Sequence, residues 1–336
     1  TLVDFHQDLL SEKYCGEGIP DWAAVSRSGA FKFPEPVDIA YPINNATGHP
    51  FKKDCDKYQW ATYQVAEEQS SAYQSLYSNV DGIQDAFAAY WMTLAKLYKS
   101  SKYVVGYELM NEPWAGDIYL DPTLMVPTIA DTKNLAPMYE NVQKAIRSVD
   151  EDHSIFFESV TWDDFGVGFE NVPGGDVYKN RSVLSYHLYL PPQLDYASGF
   201  SARMADIKKL QCGGMLTEYG LDTNEDIHNV SKLADQYLQS WIAWEYKAFI
   251  RITGYNFGVY NDAGTLLVDK VKALSRTYAQ ATAGRIQSMS FDPETADFKL
   301  TYTVDITIKE PTEIYVNTEY HYPNGFTVIM TPQGAA

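Results

Sequence analysis

Short hydrophobic runs alternate with longer stretches of helical periodicity along most of the chain. The short runs are rich in Val, Ile, Phe, Tyr and Leu, which favour β-strands. The predicted strands are residues 1–5, 103–111, 154–159, 182–188, 213–217 and 241–247. Strands that alternate with helices are typical of parallel βαβ units, so the sequence predicts an α/β fold.

Two stretches between the strands have the spacing of core-facing helices, "DAFAAYWMTLAKLYKS" (85–100) and "NLAPMYENVQKAIRSV" (134–149). Each places its apolar side chains on one face. The face of the first consists of Phe87, Trp91, Leu94 and Tyr98, and that of the second of Leu135, Met138, Val142, Ile146 and Val149.

The connection between the first strand and the first of these helices is far longer than usual and is rich in Tyr, Pro and Gly. A loop of this length is usually functional. Its Trp22, Trp60 and tyrosines either line a sugar groove or lipid-accepting mouth, or form a small core belonging to the loop itself.

A helix-like stretch at 268–284 is followed by residues 298–304, in which apolar side chains recur at every second position. This change of period predicts a separate β domain. We therefore predict an α/β domain over residues 1–284 and a small, β-sandwich-like C-terminal domain over residues 285–336.

The composition is globular and acidic. Hydrophobic residues make up 45% of the chain, and it contains no apolar run long enough to cross a bilayer. With 44 acidic and 26 basic residues the formal charge is -18, which repels phosphate backbones. The charge argues against nucleic acid as a partner and leaves the oligomeric state open.

Three cysteines, Cys15, Cys55 and Cys212, lack metal-ligand spacing, so we predict no zinc site. Cys15 and Cys55 either form a disulfide within the long connection, or all three are buried thiols.

Three Asn-X-Ser/Thr sequons begin at Asn45, Asn180 and Asn229. Together with a possible disulfide they favour a secreted or lysosomal protein. The first residues, "TLVDFHQD", read as the interior and exit of a strand, so we also expect sequence upstream of them.

Two predicted strands each end in a glutamate. The stretch "VVGYELMNEPWAG" (104–116) ends on Asn111 and Glu112, and "CGGMLTEYG" (212–220) ends on Glu218. In a parallel α/β barrel the carboxyl ends of the strands form one face, so polar side chains there meet in a shared pocket. Glu108 lies deeper along its strand, where we expect a buried, paired and structural carboxylate.

A pair of carboxyl groups in this setting is what glycoside hydrolysis requires. One group protonates the leaving oxygen and the other attacks the anomeric carbon. In retaining enzymes the two carboxyl groups lie about 5 Å apart. Their surroundings must hold the two pKa values apart. No GxSxG elbow, P-loop, GxGxxG after a strand or HExxH motif competes with the pair.

Other predicted strand ends carry candidate substrate-binding residues. These are Asp4, His6, Asp8, Asn111, His187, Tyr189 and Trp244. We expect Asn111 to bond the sugar 2-hydroxyl, Tyr189 to hold the nucleophile's carboxylate, and Trp244 to present its indole face to the sugar. His6, Asp8 and His187 would recognise hydroxyl groups. For each histidine and tryptophan the alternative is an ordinary core residue.

The motifs resemble glycoside hydrolase family 5, whose hallmark is Asn-Glu-Pro at the end of barrel strand four and a nucleophilic Glu at the end of strand seven. "LMNEP" and "LTEYG" match both. Within that family the chain is similar to the endoglycoceramidases and related glycosylceramidases over nearly its whole length, through "DFHQD", "GIPDWA", "YELMNEPWAG", "HLY", "TEYGLDT", "WEYK" and "GTLLVD".

The resemblance implies a (β/α)8 TIM barrel and retaining hydrolysis, with Glu112 as acid/base and Glu218 as nucleophile. It also implies a glycosphingolipid substrate cut between glycan and ceramide, reached at a lipid or micelle surface, without a metal or organic cofactor. If "TLVDFHQD" is the third barrel strand, the first two strands are absent from this sequence, and six strands cannot close an eight-stranded barrel. We therefore expect a fragment of a longer protein.

Two alternatives stay open. The same residues would serve a glucosylceramidase, a galactosylceramidase or a soluble β-glucan hydrolase of the same family. A non-catalytic glycolipid-binding module would keep the pocket without turnover, although it has no need of both glutamates.

Overall fold

The computed structural model describes residues 1–37, 41–162, 166–247, 257–261 and 263–331. These residues form two compact units. The first is Thr1–Tyr219, and the second contains the described residues from Gly220 onward. No helix in these ranges is long and apolar enough to cross a membrane.

The first unit is built on five parallel strands that lie side by side in chain order. They are β1 (Leu2–Asp4), β2 (Gly106–Glu108), β3 (Ser154–Phe157), β4 (Ser182–Leu188) and β5 (Gly213–Tyr219). Because the strands run in one direction, all their carboxyl ends lie along one edge. Five of the six predicted strands are confirmed, although β1 to β3 are shorter than predicted.

Helices connect these strands. They are α1 (Lys52–Cys55), α2 (Glu67–Tyr77), α3 (Ile83–Tyr98), α4 (Ala136–Arg147) and α5 (Tyr196–Leu210). The apolar faces predicted for α3 and α4 are confirmed, since all nine side chains belong to the hydrophobic core or pack against it. Trp91 of α3 also donates its indole N–H to the carbonyl of Leu109 at 3.1 Å, which ties the helix to the end of β2.

The long connection after β1 packs against the hydrophobic core of the first unit. A disulfide joins Cys15 to Cys55, which confirms the first alternative for these cysteines, while Cys212 is a free thiol. Loop closure over 40 residues corresponds to about 4 kcal/mol of stabilisation in the chain-entropy model. The aromatic rings that pack there are Tyr14, Phe33, Tyr41, Tyr58 and Tyr63. Trp60 also packs against the core, whereas Trp22 is 66% exposed.

The second unit contains two helices and five short strands among its described residues. They are α6 (Asn224–Tyr237), β6 (Ser240–Trp241), α7 (Val268–Leu274), β7 (Tyr278–Ala281), β8 (Gly284–Phe291), β9 (Phe298–Val304) and β10 (Glu313–Tyr315). β8 pairs with β9 and β7 with β10, both antiparallel. These two small sheets correspond to the predicted C-terminal β domain, whose residues 332–336 lie outside the described residues.

Two predictions for this unit are wrong. The strand predicted at 241–247 ends at Trp241 and continues only as isolated bridges at Trp244 and Lys247. The helix-like stretch at 268–284 ends at Leu274. It ends because the next residues are anchored elsewhere: the buried Arg276 forms an ion pair with Asp235, and strand β7 then pairs with the distant β10. The predicted domain boundary at residue 285 stays a prediction.

Candidate active site

Glu112 and Glu218 lie close together in the first unit, Glu112 just after β2 and Glu218 near the carboxyl end of β5. One carboxylate oxygen of each, and a ring nitrogen of His187, lie within 4.8 Å of one another. The Glu112 and Glu218 side chains are only 11% and 14% exposed. This spacing is the separation of about 5 Å that retaining glycosidases use, and it is too short to hold the extra water of an inverting enzyme.

His187 lies between the two glutamates. Its Nδ1 is 2.8 Å from Glu112 Oε1 and 3.9 Å from Glu218 Oε1. Burial by itself would lower the pKa of this imidazole, but the surrounding charges of Glu158, Glu218 and Glu112 outweigh it and raise the pKa well above its ordinary value. Glu112, His187 and Glu218 also offer ligand atoms close enough together to hold a metal ion.

Tyr189 holds the Glu218 carboxylate in place, because its hydroxyl donates a short hydrogen bond to Oε1. Burial raises the pKa of Glu218, the His187 charge opposes that shift, the Glu112 charge adds to it, and the Tyr189 hydrogen bond lowers the pKa again. The register shift between Tyr186 and His187 is what aligns His187 with Glu218 across β4 and β5.

Asn111 fixes the chain just before Glu112. Its backbone N–H donates to the carbonyl of Phe5 at 3.0 Å, and its side-chain nitrogen donates to the carbonyl of Gln7 at 3.0 Å. An amide nitrogen carries two donors, so a second hydrogen remains for a ligand. The predicted bond from Asn111 to a sugar hydroxyl stays a prediction.

Gln7 was missed from the sequence. It is 1% exposed, and its side-chain nitrogen donates to the carbonyls of Asn111 and Glu112 at 2.6 and 3.1 Å. Its side-chain oxygen accepts hydrogen bonds from the Leu10 N–H and the Tyr73 hydroxyl. Gln7 thus locks the loop after β1 to the segment that carries Glu112, and only its position between His6 and Asp8 signalled it.

His6, Asp4 and Asp8 form a second polar group after β1. His6 Nδ1 lies 3.0 Å from Asp4 Oδ2, and His6 Nε2 lies 4.0 Å from Asp8 Oδ2. Burial opposes protonation of His6, but the Asp4 hydrogen bond and the Asp8 charge raise its pKa to about 9. Burial raises the pKa of Asp8 well above its usual range, and the Glu112 charge adds to that shift. The three predicted residues therefore lie together, and the charges of Glu112 and Glu218 act on this group.

Glu108 is buried, as predicted, with 5% of its surface exposed. Its Oε1 has no hydrogen-bond partner among the described residues, although the hydroxyl groups of Thr217 and Ser185 act on its carboxyl group. The predicted pairing stays a prediction. Burial and the charge of Asp4 raise the pKa of Glu108 to about 7, against the opposing charge of His187.

Trp244 belongs to the second unit. Its carbonyl accepts a hydrogen bond from the Leu221 N–H at 3.2 Å, and it forms an isolated parallel bridge with Gly220. The role of its indole as a platform for the sugar stays a prediction.

Glu158, immediately after β3, is the second residue that sequence reasoning missed. Its side chain is 5% exposed, and its Oε2 accepts the backbone N–H of Glu112 at 2.8 Å. "SIFFES" (154–159) is an apolar strand that runs into a glutamate, which is the same signal that singled out Glu112 and Glu218.

The chain matches two family models. Residues 57–259 match the model of cellulase (glycosyl hydrolase family 5), and residues 276–335 match that of the glycoside hydrolase family 5 C-terminal domain. Among curated proteins, the endoglycoceramidase of Cyanea nozakii is 45% identical over 99% of this chain and 68% of its own length. The endoglycoceramidase of Hydra vulgaris is 46% identical over 99% of this chain and 65% of its own length. The chain thus spans about two thirds of the length of these relatives.

The fold is shared with endo-glycoceramidase II from Rhodococcus sp. Its lactosyl-enzyme intermediate superposes with a TM-score of 0.72 at 22% identity, covering 96% of this chain and 71% of that one. Its ganglioside GM3 complex superposes with a TM-score of 0.72 at 21% identity, covering 96% and 72%. These matches confirm the predicted α/β barrel class with a C-terminal β domain. The family models and the curated relatives together show that the chain belongs to glycoside hydrolase family 5, among the endoglycoceramidases.

Proposed function

We propose that the whole protein is a retaining glycosidase that cleaves the bond between glycan and ceramide in glycosphingolipids. The observation that carries the proposal is the pair Glu112 and Glu218, with carboxylate oxygens within 4.8 Å at one edge of a parallel sheet. Retaining hydrolysis requires this separation, because one carboxylate must reach the anomeric carbon while the other reaches the leaving oxygen.

In the first step Glu218 attacks the anomeric carbon while Glu112 donates its proton to the glycosidic oxygen, so the ceramide leaves as an alcohol. A glycosyl ester of Glu218 remains. In the second step Glu112 takes a proton from water, the resulting hydroxide attacks the anomeric carbon, and the Glu218 carboxylate is released. The glycan leaves with its original anomeric configuration.

His187 and Tyr189 support these steps electrostatically. The protonated imidazole of His187 is 2.8 Å from Glu112 and stabilises it as a carboxylate after it has given up its proton. The Tyr189 hydroxyl donates to Glu218 and thereby orients the attacking oxygen.

The substrate class is supported by the relatives named endoglycoceramidase at 45% and 46% identity. We also propose that the protein reaches its substrate by peripheral contact with a lipid or micelle surface. Trp22 and Phe31 on the long connection, 66% and 67% exposed, support this contact, since exposed aromatic side chains favour membrane interfaces.

Incubation of the whole protein with a ganglioside is expected to release an intact oligosaccharide and free ceramide, which mass spectrometry of both products detects. Stepwise release of single sugars would instead favour a glucosyl- or galactosylceramidase. Activity confined to soluble glucans would favour a β-glucan hydrolase. Binding without turnover would favour the non-catalytic module and would contradict the proposal.

We propose that the protein is secreted or lysosomal. The Cys15–Cys55 disulfide and the exposed side chains of Asn45, Asn180 and Asn229 support this compartment. Protein purified from its natural source is expected to carry N-glycans, so enzymatic deglycosylation in heavy-oxygen water should convert sequon asparagines to labelled aspartates. Unmodified sequons together with free thiols at Cys15 and Cys55 would contradict the assignment.

A further inference from the structure

The backbone of Glu112 has an unusual conformation. Its φ is +38°, close to the left-handed region, which residues with a side chain rarely occupy because Cβ approaches the following carbonyl. Such a conformation persists only where surrounding contacts hold it. At Glu112 it follows directly on Asn111, whose backbone and side chain are fixed by Phe5 and Gln7.

A buried carboxyl group supplies the contact at the Glu112 amide. The N–H of Glu112 donates to Glu158 Oε2 at 2.8 Å. Glu158 is itself held at its backbone, where its carbonyl accepts the Tyr139 hydroxyl at 2.9 Å. Because β2 and β3 are neighbours in the sheet, the Glu158 side chain reaches from the end of one strand to the end of the next.

Glu158 is farther than Glu112 from the imidazole that faces both. Its Oε1 lies 3.7 Å from His187 Nδ1, whereas Glu112 Oε1 lies at 2.8 Å. The hydrogen-bonding partner of His187 is therefore Glu112, and the hydrogen bond that Glu158 makes in this group is to the Glu112 main chain.

We propose that Glu158 is a positioning residue: by accepting the N–H of Glu112 it holds the acid/base backbone in its positive-φ conformation and so aims the Glu112 carboxyl at the glycosidic oxygen. This inference depends on the proposed function, since it assigns Glu112 the acid/base role. It requires an acceptor atom at the position of Glu158 Oε2, and it does not require a negative charge there.

The surroundings of Glu158 fit a neutral acceptor. Burial raises its pKa well above the ordinary carboxyl range, the His187 charge opposes that shift, and the charges of Glu112 and Glu108 add to it. A neutral carboxyl group keeps a carbonyl oxygen that accepts an N–H, and a glutamine side chain presents the same oxygen at the same reach.

The test compares substrates that differ in their need for an acid. An alcohol such as ceramide leaves only when it is protonated, whereas a dinitrophenolate leaves without help, so displacement of Glu112 affects the first substrate and spares the second. In the whole protein we expect E158M to lower kcat/KM for a ganglioside by about 10- to 100-fold, as for a buried N–H left without its acceptor. For a dinitrophenyl glycoside, kcat/KM should stay within about 3-fold of wild type, because no proton is needed there.

Two further variants distinguish a positioning role of Glu158 from an effect on the stability of the protein. E158Q keeps the acceptor and is expected to stay within about 3-fold of wild type on both substrates, whereas E158D is too short to reach the Glu112 N–H and should behave like E158M. Glu140→Met is the matched control. Glu140 Oε2 accepts the N–H of Gly174 at 2.9 Å, and Gly174 also has a positive φ. Glu140 lies on helix α4, outside the active-site cluster. This control should leave kcat/KM for both substrates unchanged.

Active enzyme is counted by the burst of dinitrophenolate, so partial unfolding does not enter the rates. Equal losses on both substrates in E158M and E158D, or a loss in E158Q as large as theirs, would overturn the positioning role while the proposed function stands. A wild-type protein that hydrolyses neither substrate would overturn the proposed function and this inference with it.

Discussion

Exchange of Glu218 for Gln is expected to lower turnover of a glycosphingolipid by about 10⁴-fold or more, as the loss of an enzymatic nucleophile does elsewhere. The amide cannot form the glycosyl ester on which retaining hydrolysis depends. It still offers an oxygen that accepts the Tyr189 hydroxyl, so the surrounding hydrogen bonds are kept. The rate is measured as oligosaccharide released from a ganglioside, with enzyme concentration fixed by absorbance.

The fold of this variant should be at least as stable as that of the wild type near neutral pH. Burial is the main cause of the raised pKa of Glu218. A carboxyl group whose folded-state pKa is raised favours folding at low pH, and this contribution is lost as the pH rises through the folded-state pKa. Gln carries no such charge, so at pH values above the folded-state pKa of Glu218 the variant should melt at the same temperature as the wild type or at a higher one. Thermal unfolding at a series of pH values measures this difference.

Glu170 provides the matched control for this exchange, because it is an exposed glutamate of the same unit. E170Q should leave both turnover and melting temperature unchanged. Turnover near wild type in E218Q would remove Glu218 from the nucleophile role and with it the double-displacement mechanism.

The parts of the fold that follow from local periodicity could be predicted. Apolar side chains repeat along α3 and α4 with the period of a helix, and the five strands of the first unit are runs of β-forming residues. The position of Glu112 and Glu218 on one edge also followed, because parallel strands bring their carboxyl ends together whatever the details of packing.

The parts that depend on partners distant in sequence could not be predicted. Strand β7 is stabilised by pairing with β10, and the segment before it is anchored by the ion pair of Arg276 with Asp235, neither of which leaves a local periodic signal. The same reason explains why Gln7 was missed, since its role is set by hydrogen bonds to residues 104 and 105 positions away.

Glu158 was missed for a different reason. Its local signal is as strong as that of Glu218, because both glutamates come at or just after the end of an apolar parallel strand. The local sequence does not show which group a side chain contacts. The Glu158 carboxyl group accepts a hydrogen bond from the main-chain N–H of Glu112. Strand ends therefore show which residues reach the site, and the side-chain contacts decide their roles.

Replacement of Glu112 by Ala is expected to lower kcat/KM for a ganglioside by about 10²- to 10⁴-fold, the usual size of a general acid's contribution. The ceramide alcohol leaves poorly unless its oxygen is protonated. For a dinitrophenyl glycoside kcat/KM should stay close to wild type, because dinitrophenolate leaves unaided and Glu218 still attacks. Both constants are obtained from initial rates, by mass spectrometry for the lipid and by absorbance for the phenolate.

Azide distinguishes the nucleophile from the acid/base residue. With Glu112 removed, the glycosyl ester of Glu218 lacks its general base and is hydrolysed slowly, so added azide should attack the ester and raise kcat for the dinitrophenyl glycoside. The product should be a glycosyl azide with the configuration of the substrate, which NMR identifies.

The Glu218 variant cannot give that product, since it forms no ester. A retained azide from the Glu218 variant and none from the Glu112 variant would mean that the nucleophile and the acid are exchanged. Their carboxylate oxygens lie within 4.8 Å of each other, so distance alone assigns neither role and the azide product does.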